Sequence, residues 1–251
     1  MKVLVCVKRV VDPNVQVQVR RDGTGMALEG VRQSLNPFDE VATEAAVQLK
    51  EQGLAQDVLA VSVGEPECRE VLRTALAIGA DRALLVQTEQ ALDPLGAARH
   101  LAAVVRREAP DLVLVGKQST DHDYGQTGPL LAALLGWAHA TCVSQLAVQG
   151  RTLEVACEAE EGRVRLQLAL PALLTVDLRL NTPRYASLPA MMKAKRKPLE
   201  TLEAQALGVA QPSRVQWLGV REPPRRAAAS MAASAQELVN MVAAARGQAR
   251  A

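Results

Sequence analysis

The chain has 251 residues, of which 49% are apolar, and a formal net charge of +2. Its aromatic residues are two tryptophans, two tyrosines and one phenylalanine, so the core must be built from Leu, Val and Ala, and little aromatic surface is left to stack on nucleic-acid bases. The small net charge excludes a general electrostatic attraction to DNA or to an anionic membrane, because the positive charge is concentrated locally at 193–197 and at Arg225–Arg226.

The four cysteines are scattered along the chain and lack the spacing of metal ligands; they are Cys6, Cys68, Cys142 and Cys157. This pattern argues against a structural zinc site and is typical of reduced thiols in a cytosolic protein. The N-terminal apolar run is too short for a signal peptide, and no apolar run reaches the length of a membrane span. We therefore expect a cytoplasmic protein that does not insert into a membrane.

Short strands alternate with amphipathic helices through the first half of the chain. Each strand is a run of Val, Leu and Ala, and each helix repeats apolar residues at three- and four-residue spacing. The predicted strands are 2–7, 57–63, 81–86 and 111–115, and the predicted helices are 38–51, 66–78, 94–107 and 129–135. The alternation predicts an α/β fold with a mostly parallel sheet flanked by helices. Ligands bind such sheets at the carboxyl ends of the strands, here the loops after Val7, Val63 and Val115.

Alternation of apolar and polar residues predicts further strands outside this pattern. The run at 15–19 alternates strictly and predicts a half-exposed strand, followed by a turn at Asp22-Gly23. The runs at 142–148, 152–157 and 164–170 predict short antiparallel strands that extend or cap the sheet. The apolar run at 166–178 indicates two strands that are separated at Pro171.

The last quarter of the chain differs in composition. Ser234 and Glu237 form a capping-box pattern at the start of a helix that carries Leu238, Met241 and Val242 on one stripe. The stretch 198–233 has too few regularly spaced apolar residues to bury itself. We therefore predict an α/β domain at 1–197, and a C-terminal arm and helix at 198–251 that pack on another subunit.

The loop Gly116–Gly128, with the sequence GKQSTDHDYGQTG, joins a parallel strand to the helix at 129–135. Free amides at a helix N-terminus favour an anion, with Thr127 or Gly128 as the helix cap and Pro129 in the first turn. The loop lacks the glycine and the Ser/Thr of a P-loop. Its aspartates would repel a triphosphate, so the pattern fits a monophosphate held by amides and the Thr127 hydroxyl. An ordinary polar surface loop explains the pattern equally well.

Histidines and loop hydroxyls offer weaker candidates. His100 is expected on the surface of its helix, and His139 is expected to be structural. Ser119, His122 and Asp123 could be combined into a hydrolytic triad, but neighbours on one loop rarely reach the required geometry. We therefore expect no catalytic residue and no metal ligand.

The segment 179–197, which we call the docking segment, presents Leu188 between polar neighbours and ahead of two methionines. An apolar residue on a Pro-bounded loop either folds back into the core or contacts a partner. The basic run Lys193–Lys197 is by default a solvated face, and beside Leu188 it could steer an acidic partner surface.

Three segments resemble the β subunit of electron transfer flavoproteins. They are RYASLP in the docking segment, NPFDE at 36–40 and the loop GKQSTDHDYGQTG. The resemblance extends from Lys2 to about Leu199 and, loosely, over the arm. It implies an α/β fold similar to that of adenine-nucleotide α-hydrolases, with an extended C-terminal arm.

The resemblance also implies site residues. Family members bind AMP with the end of the first strand, the NPF segment, the end of the next strand and the loop. The positions that carry over are Cys6, Asn36, Pro37, Phe38, Asp39, Val63, Thr120, Asp121, His122, Asp123, Tyr124, Gly125, Gln126, Thr127, Gly128, Pro129, Leu130 and Leu131. In the family, the corresponding segment anchors partner dehydrogenases through its leucine, and the partner-binding residues that the resemblance implies are Tyr185, Leu188, Pro189, Met191 and Lys193.

The function implied by the resemblance is that of an electron carrier and not of an enzyme. The α subunit of the heterodimer holds most of the FAD, and this chain supplies AMP, part of the flavin environment and the docking segment. Electrons pass from acyl-CoA-type dehydrogenases, as in fatty acid oxidation, through FAD to a quinone oxidoreductase.

Alternatives stay open. An electron-bifurcating β subunit would hold a second FAD in place of AMP. Gln126-Thr127-Gly128 matches the simple carriers, whereas Pro129 is more frequent in the bifurcating group. A nucleotide-binding stress-type module or an adenylate-forming α/β enzyme would share the sheet, but it would have no reason to carry the docking segment.

Overall fold

The structure of the chain is a computed structural model that describes residues 1–209, 215, 218–224 and 229–248. The basic pair predicted at 225–226 lies outside the described residues. The strands are β1 Lys2–Cys6, β2 Arg9–Val11, β3 Gln33–Leu35, β4 Asp57–Gly64, β5 Arg82–Gln87, β6 Leu112–Gly116, β7 Ala138–Gln149, β8 Thr152–Ala159, β9 Gly162–Ala169, β10 Ala172–Val176 and β11 Leu199–Glu203. The helices are α1 Pro37–Glu51, α2 Arg69–Ile78, α3 Pro94–Glu108, α4 Thr127–Leu135, α5 Leu188–Ala194 and α6 Ala235–Gln248.

Nine strands form one sheet in the order β11-β5-β4-β1-β6-β10-β7-β8-β9. All neighbours from β11 to β7 are parallel, and β7, β8 and β9 are antiparallel. The predicted mostly parallel sheet with an antiparallel extension is confirmed. A short antiparallel pair, β2 and β3, stands apart from the sheet.

The sheet separates two apolar core layers. Because side chains alternate along a strand, Val3 and Val5 of β1 enter one layer, and Leu4 and Cys6 enter the other. The first layer is closed by α1 and α2, and the second by α3 and α4. Helices therefore cover both faces, as the continuous apolar strands predict.

The predicted strand at 15–19 is wrong over most of its length. Asp12 accepts a hydrogen bond from the Asn14 amide at 2.9 Å, and its carbonyl accepts one from the Val15 amide at 2.9 Å. This local turn draws the backbone away from an extended conformation. Only Val19 makes a β-bridge, to Met26.

The chain divides into two compact units, 1–18 with 27–218 and 19–26 with 219–251. In the first unit, β11 pairs in parallel with β5, and a short 3₁₀ turn, Ala204–Leu207, follows it. The predicted domain boundary after Lys197 therefore lies just before a strand of the main sheet. Residues 199–207, which the composition predicts to be part of the arm, belong to the first unit.

The second unit contains a tight turn and the C-terminal helix. The turn predicted at Asp22-Gly23 is present, because Gly23 donates to the Arg20 carbonyl at 2.9 Å with a φ of 69°. Ser234 Oγ accepts from the Glu237 amide at 3.2 Å, and Glu237 accepts from the Ala233 amide at 2.6 Å, so the predicted helix start is confirmed. None of the helices among the described residues has the length and apolarity required to cross a membrane.

Candidate functional site

A cleft of about 630 Å³ opens at the carboxyl ends of β1, β4 and β6, where the fold class predicts a ligand. We call it the strand-end cleft. Its inner wall is apolar and includes Val61, Leu101 and Val115, and its rim is formed by the loops 64–65, 88–94 and 116–128.

The residues predicted to bind AMP fall into two groups. The first group lines the strand-end cleft and consists of Cys6, Asn36, Asp39, Val63, His122, Tyr124, Gly125, Gln126, Thr127 and Gly128. The second group lies in the same segments without lining the cleft and consists of Pro37, Phe38, Thr120, Asp121, Asp123, Pro129, Leu130 and Leu131. The structure thus brings the four separate segments to one place.

Asp39 joins three of these segments. Its carboxylate accepts a hydrogen bond from the Lys8 amide at 2.8 Å and one from the Gly116 amide at 3.0 Å, at the ends of β1 and β6. Burial raises the pKa of Asp39 to about 7, although hydrogen bonds from Lys8, Asn36 and Gly116 favour the charged form. A side chain at Gly116 would stand 2.7 Å from Phe38 Cβ, so only glycine permits this approach.

Asn36 holds the first half of the 116–128 loop. Its Nδ2 donates to the Gln118 carbonyl at 2.9 Å, and its Oδ1 accepts from the Thr120 amide at 3.3 Å. Pro37 then begins α1 at a position where its missing N–H costs nothing. The hydroxyl of Thr120 is buried without a hydrogen-bond partner among the described residues, and it could therefore bind a group that enters the loop.

Lys8 is a site residue that the sequence analysis missed. Its ammonium contacts Asp121 at 2.7 Å, Ser119 Oγ at 3.2 Å and His122 Nδ1 at 3.2 Å. Burial would raise the pKa of Asp121, but hydrogen bonds from His122, Lys8 and Ser119 hold it well below its usual range. The sequence contains a signal for this residue, because Lys8 directly follows the first predicted strand at its carboxyl end.

Other charged side chains of the loop also have partners. Asp123 accepts from Gln118 Nε2 at 2.8 Å. Lys117 donates to Asp177 at 2.7 Å and lies 5.5 Å from the centre of the Phe38 ring. A ligand anion would therefore meet backbone dipoles in this loop more readily than an uncompensated lysine.

The first turn of α4 supplies the backbone dipoles that a ligand anion would meet. The helix begins at Thr127, and the residue that precedes it is Gln126, whose side chain makes no capping hydrogen bond. The predicted cap at Thr127 or Gly128 is therefore wrong by one or two residues, and Pro129 lies in the first turn as predicted. A side chain at Gly128 would overlap that of Thr175 on β10, so glycine allows α4 to start close to the sheet.

The end of β4 offers backbone groups beside the apolar wall of the strand-end cleft. The hydrogen bonds between β1 and β4 end with Val7 N donating to Val61 O at 2.8 Å. Val63 lies two residues further along β4, so its N–H and C=O point to the same side, past the end of β1. Burial raises the pKa of the neighbouring Cys6 thiol, which is consequently neutral.

Among the weaker candidates, His100 and the loop residues Ser119 and Asp123 make structural contacts. His100 was expected on the surface, but it is buried, and its Nδ1 lies 2.8 Å from the Gly96 carbonyl one turn earlier. His139 is exposed on β7. Ser119 contacts Lys8, and Asp123 accepts from Gln118, so the loop residues have partners other than those a hydrolytic triad requires.

The docking segment exposes the residues predicted to bind a partner. Leu188 begins α5, and Ser187 Oγ accepts from the Ala190 amide at 3.3 Å. Tyr185 is 95% exposed and Leu188 is 72% exposed. Pro189, Met191 and Lys193 are exposed as well. Leu188 is therefore not folded back into the core.

The basic run 193–197 is not a uniform solvated face. Lys197 donates to the carbonyls of Leu76 at 3.0 Å and Ala80 at 2.6 Å, at the C-terminal end of α2. Its ammonium therefore satisfies carbonyls that the helix leaves unpaired. Lys193, Lys195 and Arg196 remain exposed.

Comparisons with known proteins agree with the segments identified in the sequence. The electron transfer flavoprotein domain matches residues 24–207. The chain is 48% identical to the electron transfer flavoprotein subunit beta of Bradyrhizobium diazoefficiens over 240 residues, which cover 96% of each chain. It is 46% identical to the human protein of the same name over 95% of each chain, and 45% identical to the mitochondrial subunit of Arabidopsis thaliana over 96% of each. The chain therefore belongs to the electron transfer flavoprotein family, among its β subunits.

Proposed function

We propose that this β subunit carries AMP in the strand-end cleft and docks acyl-CoA-type dehydrogenases through the docking segment. In the proposed heterodimer the α subunit holds most of the FAD, whose redox chemistry passes electrons on to a quinone oxidoreductase. This chain then performs no bond chemistry and needs no catalytic acid or base. We place it in the cytoplasm because its cysteines follow the pattern of reduced thiols.

The observation that carries the AMP proposal is the uncapped first turn of α4 at the rim of the strand-end cleft. A helix N-terminus carries about half a positive charge, and the hydroxyl of Thr127 lies in the same turn. Lys8 and Lys117 are already neutralised by Asp121 and Asp177. The site therefore suits the small charge of a monophosphate better than that of a polyphosphate.

The remaining walls fit a nucleoside. The N–H and C=O of Val63 can pair with an adenine edge, which presents an acceptor beside a donor. The neutral thiol of Cys6 and the side chain of Val115 provide apolar contact on the same wall. A volume of about 630 Å³ lies within the usual range for cofactor pockets.

Nucleotide content tests this assignment. We expect acid extraction of the purified heterodimer to release one FAD and one AMP. Thr127→Val should lower the AMP content several-fold without lowering FAD, because a hydrogen bond to a charged group contributes about 1.5–3 kcal/mol. Thr182→Val, an exposed threonine outside the cleft, is the matched control. Two FAD and no AMP would identify the bifurcating alternative, which the proline at 129 favours.

Leu188 tests the docking role. We expect Leu188→Ala to weaken dehydrogenase binding by about 2 kcal/mol, the loss of a hot-spot contact, and to slow electron transfer from the dehydrogenase at least tens of fold. The melting temperature of the heterodimer should hardly change, since the side chain is exposed. Leu54→Ala, a less exposed leucine outside the docking segment, is the control. A large drop in melting temperature with normal electron transfer would show that Leu188 serves the core.

A further inference from the structure

Arg184 ties the docking segment to α1 through two carboxylates. Its Nε and Nη2 donate to the two oxygens of Glu44 at 2.8 and 2.9 Å. Its Nη1 and Nη2 donate to the two oxygens of Glu51 at 2.6 and 2.8 Å. The amide of Arg184 also donates to Glu44 at 3.2 Å. The guanidinium therefore makes a bidentate contact with each carboxylate, the geometry in which arginine binds most specifically.

Because Glu44 is buried, its carboxylate requires the guanidinium of Arg184 as a counter-ion. The Glu44 side chain is only 4% exposed, whereas Glu51 is 55% exposed. Burial alone would raise the pKa of Glu44, but hydrogen bonds from Arg184 and Gln48 lower it below its usual value. Glu44 is consequently charged, and removal of the guanidinium would leave a buried carboxylate without its counter-ion, which is strongly unfavourable.

The other end of the docking segment is held as well. Arg73 of α2 donates to the carbonyls of Ala194 at 2.7 Å and Lys197 at 2.9 Å. Ala194 is 1% exposed and packs into the first core layer. Between these two attachments the chain exposes Leu188 on the first turn of a short helix. Only three residues lie between Arg184 and that leucine, so little chain is left to absorb motion.

We propose that Arg184 is a positioning residue for dehydrogenase docking, because it holds the first turn of α5 in the orientation that the partner binds. This inference rests on the proposed role of Leu188 as the anchor. An anchor that is fixed before the encounter loses less conformational entropy on binding, which increases affinity without adding a contact. The guanidinium faces α1, so its effect on the partner is exerted through Leu188.

Titration of the heterodimer with a purified acyl-CoA dehydrogenase tests the inference. We expect Arg184→Gln to raise the half-saturating dehydrogenase concentration about tenfold, with little change in the maximal rate and unchanged FAD and AMP content. Arg179→Gln removes one exposed positive charge from the same segment, outside the basic run 193–197, and should change the half-saturating concentration less than threefold. An equal effect of both substitutions would mean that only net charge matters, and would overturn the inference.

A double-mutant cycle with Leu188→Ala separates positioning from a general structural effect. If Arg184 acts through the anchor, Arg184→Gln should add almost nothing in the Leu188→Ala background. Fully additive losses, or a normal half-saturating concentration in Arg184→Gln, would overturn the inference while leaving the docking role intact. If Leu188→Ala alone has no effect, the docking role fails, and the inference with it.

Arg184→Lys covers the case in which Arg184→Gln does not fold. It keeps a positive charge beside Glu44 but cannot make two bidentate contacts. We expect an intermediate rise of about threefold in the half-saturating concentration. An unchanged value would show that geometry at residue 184 does not matter to docking, and would overturn the inference.

Discussion

The Asp39 carboxylate has two candidate roles, one in nucleotide binding and one in holding the backbone. The sequence resemblance implies that it touches AMP, and the structure shows both of its oxygens accepting backbone amides. We expect Asp39→Asn to destabilise the heterodimer by about 1–3 kcal/mol, because the new NH₂ group would face an amide donor and leave it unpaired. Thermal unfolding measures the loss, and Glu161→Gln, in an exposed turn, is the control. A melting temperature unchanged by Asp39→Asn would contradict this account.

The difference in the free energy of unfolding between the wild type and Asp39→Asn should also depend on pH. The pKa of Asp39 is raised from 3.8 to about 7 in the folded chain. The stabilisation linked to this shift is therefore complete below about pH 4, and it is lost as the pH rises towards 7. The stability gap between the wild type and Asp39→Asn should accordingly narrow over that range. A gap that widens with pH would show that the hydrogen bonds outweigh burial.

Single residues differ in how well the sequence predicts them. Cys6 and Val63 lie near the ends of recognisable strands, and Asn36 begins the NPF motif. The structure places all three in one cleft. Lys8 and Arg184 were missed because their partners, Asp121 and Glu44, lie far away in sequence. Their pairing becomes evident only when the sheet and α1 are assembled.

At the level of elements, the start of α4 depends on a close approach to the sheet. We expect Gly128→Ala to lower the AMP content of the heterodimer, because the added methyl group overlaps the Thr175 side chain and must displace the first turn. Thr175→Ser removes the overlapping methyl group but keeps the hydroxyl, which accepts from the Cys142 amide at 3.1 Å. The double variant Gly128→Ala/Thr175→Ser should regain AMP. Failure to regain it would mean that the steric overlap is not the cause.

The strands β1, β4, β5 and β6 and the helices α1, α3 and α4 were predicted to within two residues, whereas α2 starts three residues after its predicted start and β7 starts four residues before its own. α3 begins at Pro94, as predicted, behind Asp93, which accepts from the Gly96 amide at 2.6 Å. β11 was missed because its polar edge resembles a loop and its partner β5 lies more than a hundred residues earlier. The run at 15–19 alternates correctly but forms a single bridge, since alternation alone does not provide a neighbouring strand.

At the level of the whole molecule, the sequence predicts the class of sheet but not its order. β10 lies between β6 and β7 in the sheet, although it follows β9 in the chain. No local pattern encodes this insertion, which places Thr175 beneath the first turn of α4. The position of the strand-end cleft was nevertheless predictable, because the carboxyl ends of parallel strands meet whatever their order.

The exposed apolar residues of the C-terminal helix α6 lead to a prediction about assembly with the α subunit. In α6 the side chains of Leu238, Met241 and Val242 are between 38% and 55% exposed, although they form one stripe. Apolar stripes of this kind mark interaction surfaces, and we expect this one to pack on the α subunit. Leu238→Asp combined with Val242→Asp should raise the heterodimer dissociation constant at least tenfold, because two charges would be buried without partners. Asn240→Asp, a charge added off the stripe, should have little effect. Sedimentation velocity over a dilution series measures the change in the dissociation constant. If the chain alone sediments as a clean monomer in which α6 is protected from protease, the predicted assembly is refuted.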